Sequence, residues 1–520
     1  MSRINTNVNS LIAQRVLGAN NKGLNTSLER LSTGLRITRG KDDPAGLIAS
    51  QNLRAEKSAL TTAISNAERA DQVVNIAEGG LDEVSSLLTE LQGLVTQTAN
   101  TEGLSREEKE ANQLQIDSIL QTIDRVASST SFQGLKLLNG NLDFSTESVN
   151  ANVSSFKVNS AKLDFNGTRD VDVVVTGSAQ VAGFYLSFGA NNLNLTNATS
   201  RFVIEVSGTK GTRELSFASG TSVSDVVDAV NSFTDVTGVT ATLSGTASGG
   251  VSGIALKSVD FGSSEFVSVR VVDNGGINTA AATAGVYKLQ AANSAAASTS
   301  APDRTLFSAA NNKITDEGQN ITATINGISA TTNGTSARIN TDFLDVEVDL
   351  QTTGSGTNAQ RLGALTAFTI NGGGADFQLA GRVDIAGKVS LGIQNVSVRA
   401  LGRTANGSTT NFLADLGAGR ALNVVDGDIS EAQKAVEGSI REVASARGRL
   451  GAFQKNTIGA TIRSLGVAAE NTAAAESVVR DADFASETAN LTRAQILSSS
   501  AQQILTLANS QPQAALQLLG

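Results

Sequence analysis

Apolar positions follow two rhythms along this chain. Near the N-terminus they return every three or four residues: Ile4, Val8 and Leu11; Leu24, Leu28, Leu31 and Leu35; Val74, Ala77, Leu81, Val84, Leu88, Leu91 and Val95; and Ile116, Ile119, Ile123 and Val126. Alternating steps of three and four hold each series on one stripe of a helix, the spacing of a coiled-coil seam. The rhythm returns toward the other end in Val436, Ile440, Val443, Leu450 and Phe453, and again in Leu497, Ala501, Ile504 and Ala508. Between these regions the period falls to two. Leu344, Val346, Val348 and Leu350 alternate with Asp345, Glu347 and Asp349, and Phe202, Ile204 and Val206 behave alike. That is the pattern of strands with one dry and one wet face.

Punctuation residues set the boundaries. Asp43 before Pro44 reads as an N-cap followed by a proline at the first helical position, where the missing N–H costs nothing. The helix it opens can run to about Thr98, roughly 80 Å at 1.5 Å per residue. Asn100 to Gly103 forms a turn, Ser105 with Glu108 a capping box, and Ser430 with Gln433 a second box before the C-terminal helices. Pro512 is expected to end the last stripe. In the middle, Ser222 with Asp225 caps a short helix whose apolar face is Val223, Val226, Val227 and Val230. Asn-Gly pairs at 166, 274, 326, 333, 371 and 406 are hairpin signals, and Gly372-Gly373-Gly374 predicts a tight turn between strands.

Composition follows the same division. Residues 1 to 140 are rich in Leu, Ala, Glu, Gln and Arg; Gly, Ser, Thr, Val and Asn dominate to 415; the first composition then resumes. The expected fold is multidomain α plus β, a long α-helical coiled-coil core built from both chain ends with inserted β-rich outer domains. The expected segments are 1–42, the N-terminal part of an inner core; 43–165, the N-terminal part of a helical core domain; 166–415, one or two β-rich or α+β insertions; 416–475, the C-terminal part of the helical core; and 476–520, the C-terminal part of the inner core.

Charge and the missing residue types narrow the chemistry. The chain of 520 residues has 40 Lys and Arg against 49 Asp and Glu, a net charge of −9, and contains no His, Cys or Trp. Thiolate nucleophiles, Ser-His-Asp triads and Cys/His zinc sites are therefore excluded, and the acidic balance argues against a nucleic-acid partner. No apolar run is long enough to span a membrane, and the start shows no signal-peptide core, so a cytosolic location or an export route without a cleaved signal is expected. The segment Gly34 to Asp42 imitates a phosphate-binding loop. However, it has five residues between its glycines, Asp42 where Ser or Thr should ligate Mg²⁺, and no strand before it. It reads as a helix-to-helix connector, and Asp42/Asp43 and Asp481/Asp483 as caps or dipole partners. No catalytic constellation and no cofactor site emerges.

Assembly is the remaining use for the apolar stripes. The stripes from Pro44 to Val126 and from Ser430 to Leu465 can bury against one another as a bundle. The outermost segments, to about Leu35 and from about Ala485, have little to pack on within one molecule. They are expected to order on meeting copies of the same chain, and head-to-tail addition that does not close gives an open helical filament. Ile4, Val8, Leu11, Leu28, Leu31, Leu35, Leu497, Ile504, Leu516 and Leu519 are the candidate assembly residues. Val74, Leu81, Val84, Leu88, Leu91, Val95, Val436, Ile440, Val443 and Leu450 are the candidate core seam.

Particular motifs sharpen this reading. Ile4-Asn-Thr-Asn-Val8-Asn-Ser-Leu11, Leu31-Ser-Thr-Gly-Leu35-Arg-Ile37 and Lys41-Asp-Asp-Pro-Ala-Gly-Leu47 resemble the N-terminal signature of bacterial flagellins. Asp481-Ala-Asp483-Phe-Ala485-Ser-Glu487, Ala508-Asn509-Ser-Gln-Pro512 and Leu516-Gln-Leu518-Leu519-Gly520 resemble their C-terminal signature, and Phe202 to Val269 is similar to a module of flagellins and hook-associated proteins. The resemblance implies a non-enzymatic structural subunit of the filament used for swimming. It would be secreted unfolded through the flagellar type III export channel to an extracellular flagellum. The implied partners are copies of itself, the filament cap and hook-associated proteins, and an export chaperone on about 480–520, with neither nucleic acid nor membrane insertion. A Toll-like innate receptor recognises the family through an Arg, a Leu and a Glu; the matching positions here are Glu90, Leu94 and Gln115, so weak or absent recognition is expected. A hook–filament junction protein is the nearest alternative, and a surface adhesin a more distant one.

Overall fold

In the computed structural model, residues 6–100, 103–164, 167–189, 191–245, 252–277, 284–290, 293–298, 303–352, 360–406 and 409–517 are described. They form two compact units. The first comprises Met1–Gly79, Phe377–Val389 and Arg447–Gly520; the second comprises Gly80–Asp376 and Ser390–Ala446.

Long helices build the first unit: α1 (Val8–Thr33), most of α2 (Pro44–Thr98), and the C-terminal helices described below. Asp43 caps α2 by accepting from the Gly46 N–H at 2.9 Å, as Asp43-Pro44 implies. Asp42 binds its own connector: its carboxylate accepts from the Arg39 N–H at 2.9 Å and the Thr38 hydroxyl at 3.0 Å. These bonds, Arg39's foremost, hold it below the usual carboxylate range. The element before this connector is a helix, so the phosphate-loop geometry is not formed.

The second unit contains the end of α2, α3 (Arg106–Ser129), and the insertion. Ser105 and Glu108 make the expected reciprocal capping box. Leu81, Val84, Leu88, Leu91 and Val95 on α2 are buried, as are Ile116, Ile119 and Ile123 on α3. Gly80 permits close packing, since a Cβ there would lie 2.7 Å from Leu138 Cδ1.

Two β cores lie in the insertion, each enclosed by antiparallel sheets. In one, a sheet ordered Asn293–Ala297, Gly285–Gln290, Gly183–Ser187, Ser252–Ser258, Val239–Gly245, with Arg304–Thr305 also on Gly285–Gln290, contributes Phe184, Leu186, Ile254 and Leu256. A four-stranded sheet, Ile314–Glu317, Phe266–Asp273, Arg201–Gly208, Thr212–Ala218, adds Phe202, Ile204, Val206, Val267 and Val269. Helix α4 (Val223–Asn231) turns its four valines into this core and carries the capping box read from Ser222 and Asp225; the short α5 (Thr234–Thr237) follows. The other core joins a five-stranded sheet around Arg169–Gly177 and Gly363–Gly373 to a four-stranded sheet around Leu344–Leu350. Leu344, Val346, Val348 and Leu350 are buried and the acids between them half-buried, as the period of two requires. Phe156 and Phe368 meet across this core with ring centroids 4.4 Å apart.

Three boundary readings are corrected. Asn326-Gly327 does make a hairpin turn, with both residues at positive φ. Asn371-Gly372, however, lies inside the strand Gly363–Gly373 at a register shift, not at a turn. The glycine run turns the chain only at its last residue: Gly372 and Gly373 belong to that strand, and Gly374, at φ 81°, bends the backbone into the strand Ala375–Gln378. The run is a close backbone approach, since a Cβ on Gly373 would sit 2.2 Å from the Asp143 carbonyl and one on Gly374 2.6 Å from the Phe144 ring. Third, helix α6 (Ile429–Ala452) starts one residue before Ser430, because Asp428, not Ser430, accepts from the Glu431 N–H at 3.1 Å. Asp outcompetes the shifted Ser box by placing a full charge on the helix start. A π turn (Phe453–Ile458) then leads into α7 (Gly459–Arg480), and α8 (Phe484–Gln517) follows.

Candidate assembly surface

The first and last described helices, α1 and α8, lie antiparallel in the first unit. Asn7 contacts Ala508, Asn20 contacts Leu497 and Arg30 contacts Glu487, in reversed order along the two segments. Where they end, the chain segments cross-link as a short antiparallel bridge: the Arg36 N–H donates to the Arg480 carbonyl at 2.7 Å and the Ala482 N–H to the Gly34 carbonyl at 2.9 Å. Asp483 caps α8 through the Ala485 N–H at 2.9 Å, and Asp481 accepts from the Ser477 hydroxyl at 2.7 Å.

What α1 and α8 bury is small. Ser10, Ala13, Ser27, Ser498, Ala501 and Ala508 are the buried residues of the contact, joined by Glu487. Side-chain amides and hydroxyls span it: Ser10 Oγ donates to Asn509 Oδ1 at 2.7 Å, Ser498 Oγ to Asn21 Oδ1 at 2.8 Å, and Asn20 Nδ2 to the Leu497 carbonyl at 3.1 Å. Most large apolar side chains lie on the outside, although Leu17, Leu24, Leu491 and Leu505 are half-buried. Val8 is 53% exposed, Leu11 58%, Ile504 57% and Leu507 62%, and Ile12, Val16, Leu28, Ile496 and Leu497 are also exposed. Leu31 and Leu35 are half-buried. Ile4 and Leu519 lie outside the described residues, and Leu516 falls where side chains are not described. Ile12, Val16, Ile504 and Leu507 line an open groove of about 400 Å³ between the two helices.

Pro512 does not end α8, which continues to Gln517. A proline within a helix leaves the carbonyl four residues earlier without its N–H partner. Here that carbonyl belongs to Ala508, and Asn7 Nδ2 donates to it at 2.7 Å. Sequence reasoning treated Asn7 only as part of a signature; its role depends on a residue 505 positions away, which no local pattern shows.

The seam residues behave differently. Val74 is buried in the first unit, as are Leu450 and Ile458, while Val436 and Val443 are buried in the second and Ile440 is half-buried. In the first unit, α2 and the C-terminal helices also share polar contacts: Arg447 Nη2 lies 2.7 Å from Glu78 Oε1, and Gln454 Nε2, on the π turn, donates to Asp71 Oδ1 at 3.0 Å and Asn75 Oδ1 at 2.8 Å. The receptor-matching positions sit on α2 and α3, with Glu90 and Gln115 exposed and Leu94 half-buried.

A separate cavity of about 570 Å³ in the second unit is lined by Asp143, Lys157, Asp349, Arg403 and Glu442 among others. Burial pushes the Glu442 carboxyl above its ordinary range, and Arg403 Nη1 donates to the Ser154 carbonyl at 3.1 Å. Among the described residues no group of His, Cys, Asp and Glu could hold a metal ion, and no helix is long and apolar enough to cross a membrane.

Comparison with known proteins agrees with the layout. The profile for the bacterial flagellin N-terminal helical region matches residues 4–143, that for the bacterial flagellin C-terminal helical region matches 433–519, and the flagellin hook IN motif matches 201–260. Flagellin B of Helicobacter pylori is 27% identical over 99% of both chains, and a flagellin of Salmonella typhimurium is 28% identical over 99% of both. Polar flagellin F of Vibrio parahaemolyticus is 41% identical, over 26% of this chain and 36% of its own. Helical ends that match at both extremities, around a β-rich insertion, and an alignment running from end to end place this chain in the bacterial flagellin family.

Proposed function

We propose that this chain is the repeating structural subunit of a bacterial flagellar filament, an extracellular helical polymer used for swimming. One observation carries the reading: α1 and α8 pair through small and polar residues and leave most of their large apolar side chains, among them Val8, Leu11, Ile504 and Leu507, exposed. An exposed apolar surface rimmed by polar groups marks an interaction site, and a subunit whose neighbours are identical copies can cover it by stacking without closure. Val8, Leu11, Leu28, Leu31, Leu35, Leu497 and Ile504, with Ile4, Leu516 and Leu519, are the proposed assembly residues. The buried seam from Val74 to Val95, with Val436, Ile440, Val443 and Leu450, is the proposed rigid core. The chain does no catalysis in this role. Its other proposed partners are the filament cap, hook-associated proteins and an export chaperone that holds about 480–520.

Purified chain added to short filament seeds is expected to elongate them into long filaments visible by electron microscopy. A chain that decorates seeds without elongating them is a junction protein, and the subunit reading then fails.

Recognition by the family's Toll-like receptor is proposed to be weak. Glu90 stands where the receptor's partner is an Arg, so a donor becomes an acceptor and the charge reverses. Glu90→Arg together with Gln115→Glu is expected to raise a reporter-cell response to purified monomer at least about tenfold, by restoring charge-assisted hydrogen bonds. Equal responses from the two proteins would refute the assignment of these positions.

A further inference from the structure

We infer that Asn7 and Pro512 form a register latch that fixes how α1 and α8 are aligned, and that filament growth depends on it. The inference rests on the subunit reading, because growth is its first readout.

Within a helix, each backbone carbonyl is normally taken by the N–H four residues on. A neighbouring side chain then finds few vacant acceptors. Pro512 creates one at Ala508, a buried residue on the face of α8 turned to α1. Asn7 fills it with Nδ2 at 2.7 Å. The other end of the same amide is engaged too, since Asn7 Oδ1 accepts from the Ser10 N–H at 3.0 Å and so caps α1. The cap holds the amide in place and the vacancy gives it one address. Sliding α8 by a residue would offer Asn7 a carbonyl already bonded within its own helix and would strand the Ala508 carbonyl, a cost that buried polar groups do not tolerate. Ser10 to Asn509 reinforces the same register one residue along. By contrast, Asn20 donates to the Leu497 carbonyl, which has no proline four residues later and so specifies register less strongly. The register matters because Ile12 and Val16 on one helix and Ile504 and Leu507 on the other form one groove only when the helices are aligned as they are.

A double-mutant cycle on the full-length chain tests the latch. Asn7→Ser keeps an oxygen for the cap but is too short to reach Ala508. Pro512→Ala returns the missing N–H to α8 and makes the Asn7 donor redundant. Asn7→Ser alone is expected to raise the critical concentration for seeded elongation about threefold to tenfold. In the Pro512→Ala background the same change is expected to shift it less than about twofold. An Asn7→Ser effect of equal size in both backgrounds, or no effect in either, overturns the latch. If the unaltered chain does not elongate seeds, the subunit reading falls instead. The latch is then judged from hydrogen exchange of α1 and α8 in chains bound to the seeds, where copies are present to order both helices. Protection lost in Asn7→Ser and kept in the double variant supports it, and equal exchange in all four chains overturns it.

Discussion

A chain carrying Ile504→Asp and Leu507→Asp is expected to fold like the unaltered subunit and to form no filaments. Both side chains are more than half exposed in the single molecule, so replacing them removes almost no packing there, and the thermal transition of the free chain should stay within about 2 °C, since surface changes usually fall within ±0.5 kcal/mol. In the polymer the situation reverses. Burying two such apolar side chains contributes about 3–6 kcal/mol per subunit, and burying carboxylates in their place adds a further penalty. A loss of that size raises the critical concentration about 10²- to 10⁴-fold. Sedimentation of seeded reactions over a range of concentrations measures this. Elongation at the unaltered critical concentration would show that this face is not the one that copies cover.

The second large effect is the opposite in kind. Leu88→Ala is expected to destabilise the free subunit by about 2–5 kcal/mol, because Leu88 is fully buried in the α2 seam and the cavity left behind collapses only in part. Leu114→Ala, on α3, is the control: that side chain is 70% exposed and its loss should change stability by less than about 0.5 kcal/mol. Urea unfolding followed by helical circular dichroism separates the two. Equal midpoints would mean that the α2 seam does not hold the helical unit together.

The two experiments divide the apolar residues by destination, and the sequence shows only half of that division. Seven residues from Val74 to Val95 keep one stripe for three heptads, and every one of them is buried. A long stripe of this sort has a single cheap solution, so period alone reveals it. Val8, Leu11 and Ile504 follow the same period, yet they point outward. Periodicity records that a residue avoids water; it does not record whether the cover comes from the same molecule. The buried contact between α1 and α8 is only half legible: Ala501 and Ala508 fall on the apolar stripe, whereas Ser10, Ser27 and Ser498 carry no hydropathic signal. Pairing of such residues is a matter of close approach, not of apolar content.

Local signals were read well where one interaction decides the outcome. Asp43-Pro44, Ser105 with Glu108 and Ser222 with Asp225 each start a helix as written. They fail where another group intervenes, the neighbouring Asp428 at the Ser430 box and distant groups elsewhere. Pro512 is expected to stop α8, but the helix continues to Gln517, with the Ala508 carbonyl that the proline leaves open taken by the distant Asn7. Asn371-Gly372 looked like a turn, but its backbone is held in a strand by pairing with Phe144 to Glu147. The β cores were legible as alternation, while the order of strands within each sheet depends on contacts between residues far apart and was not.

The antiparallel alignment of α1 with α8 has a consequence for synthesis. The first helix a ribosome makes must wait for almost the whole message to be read before its companion exists. A product cut short before Leu497 offers Asn7, Asn20 and Asn21 none of the partners they grip in the whole chain.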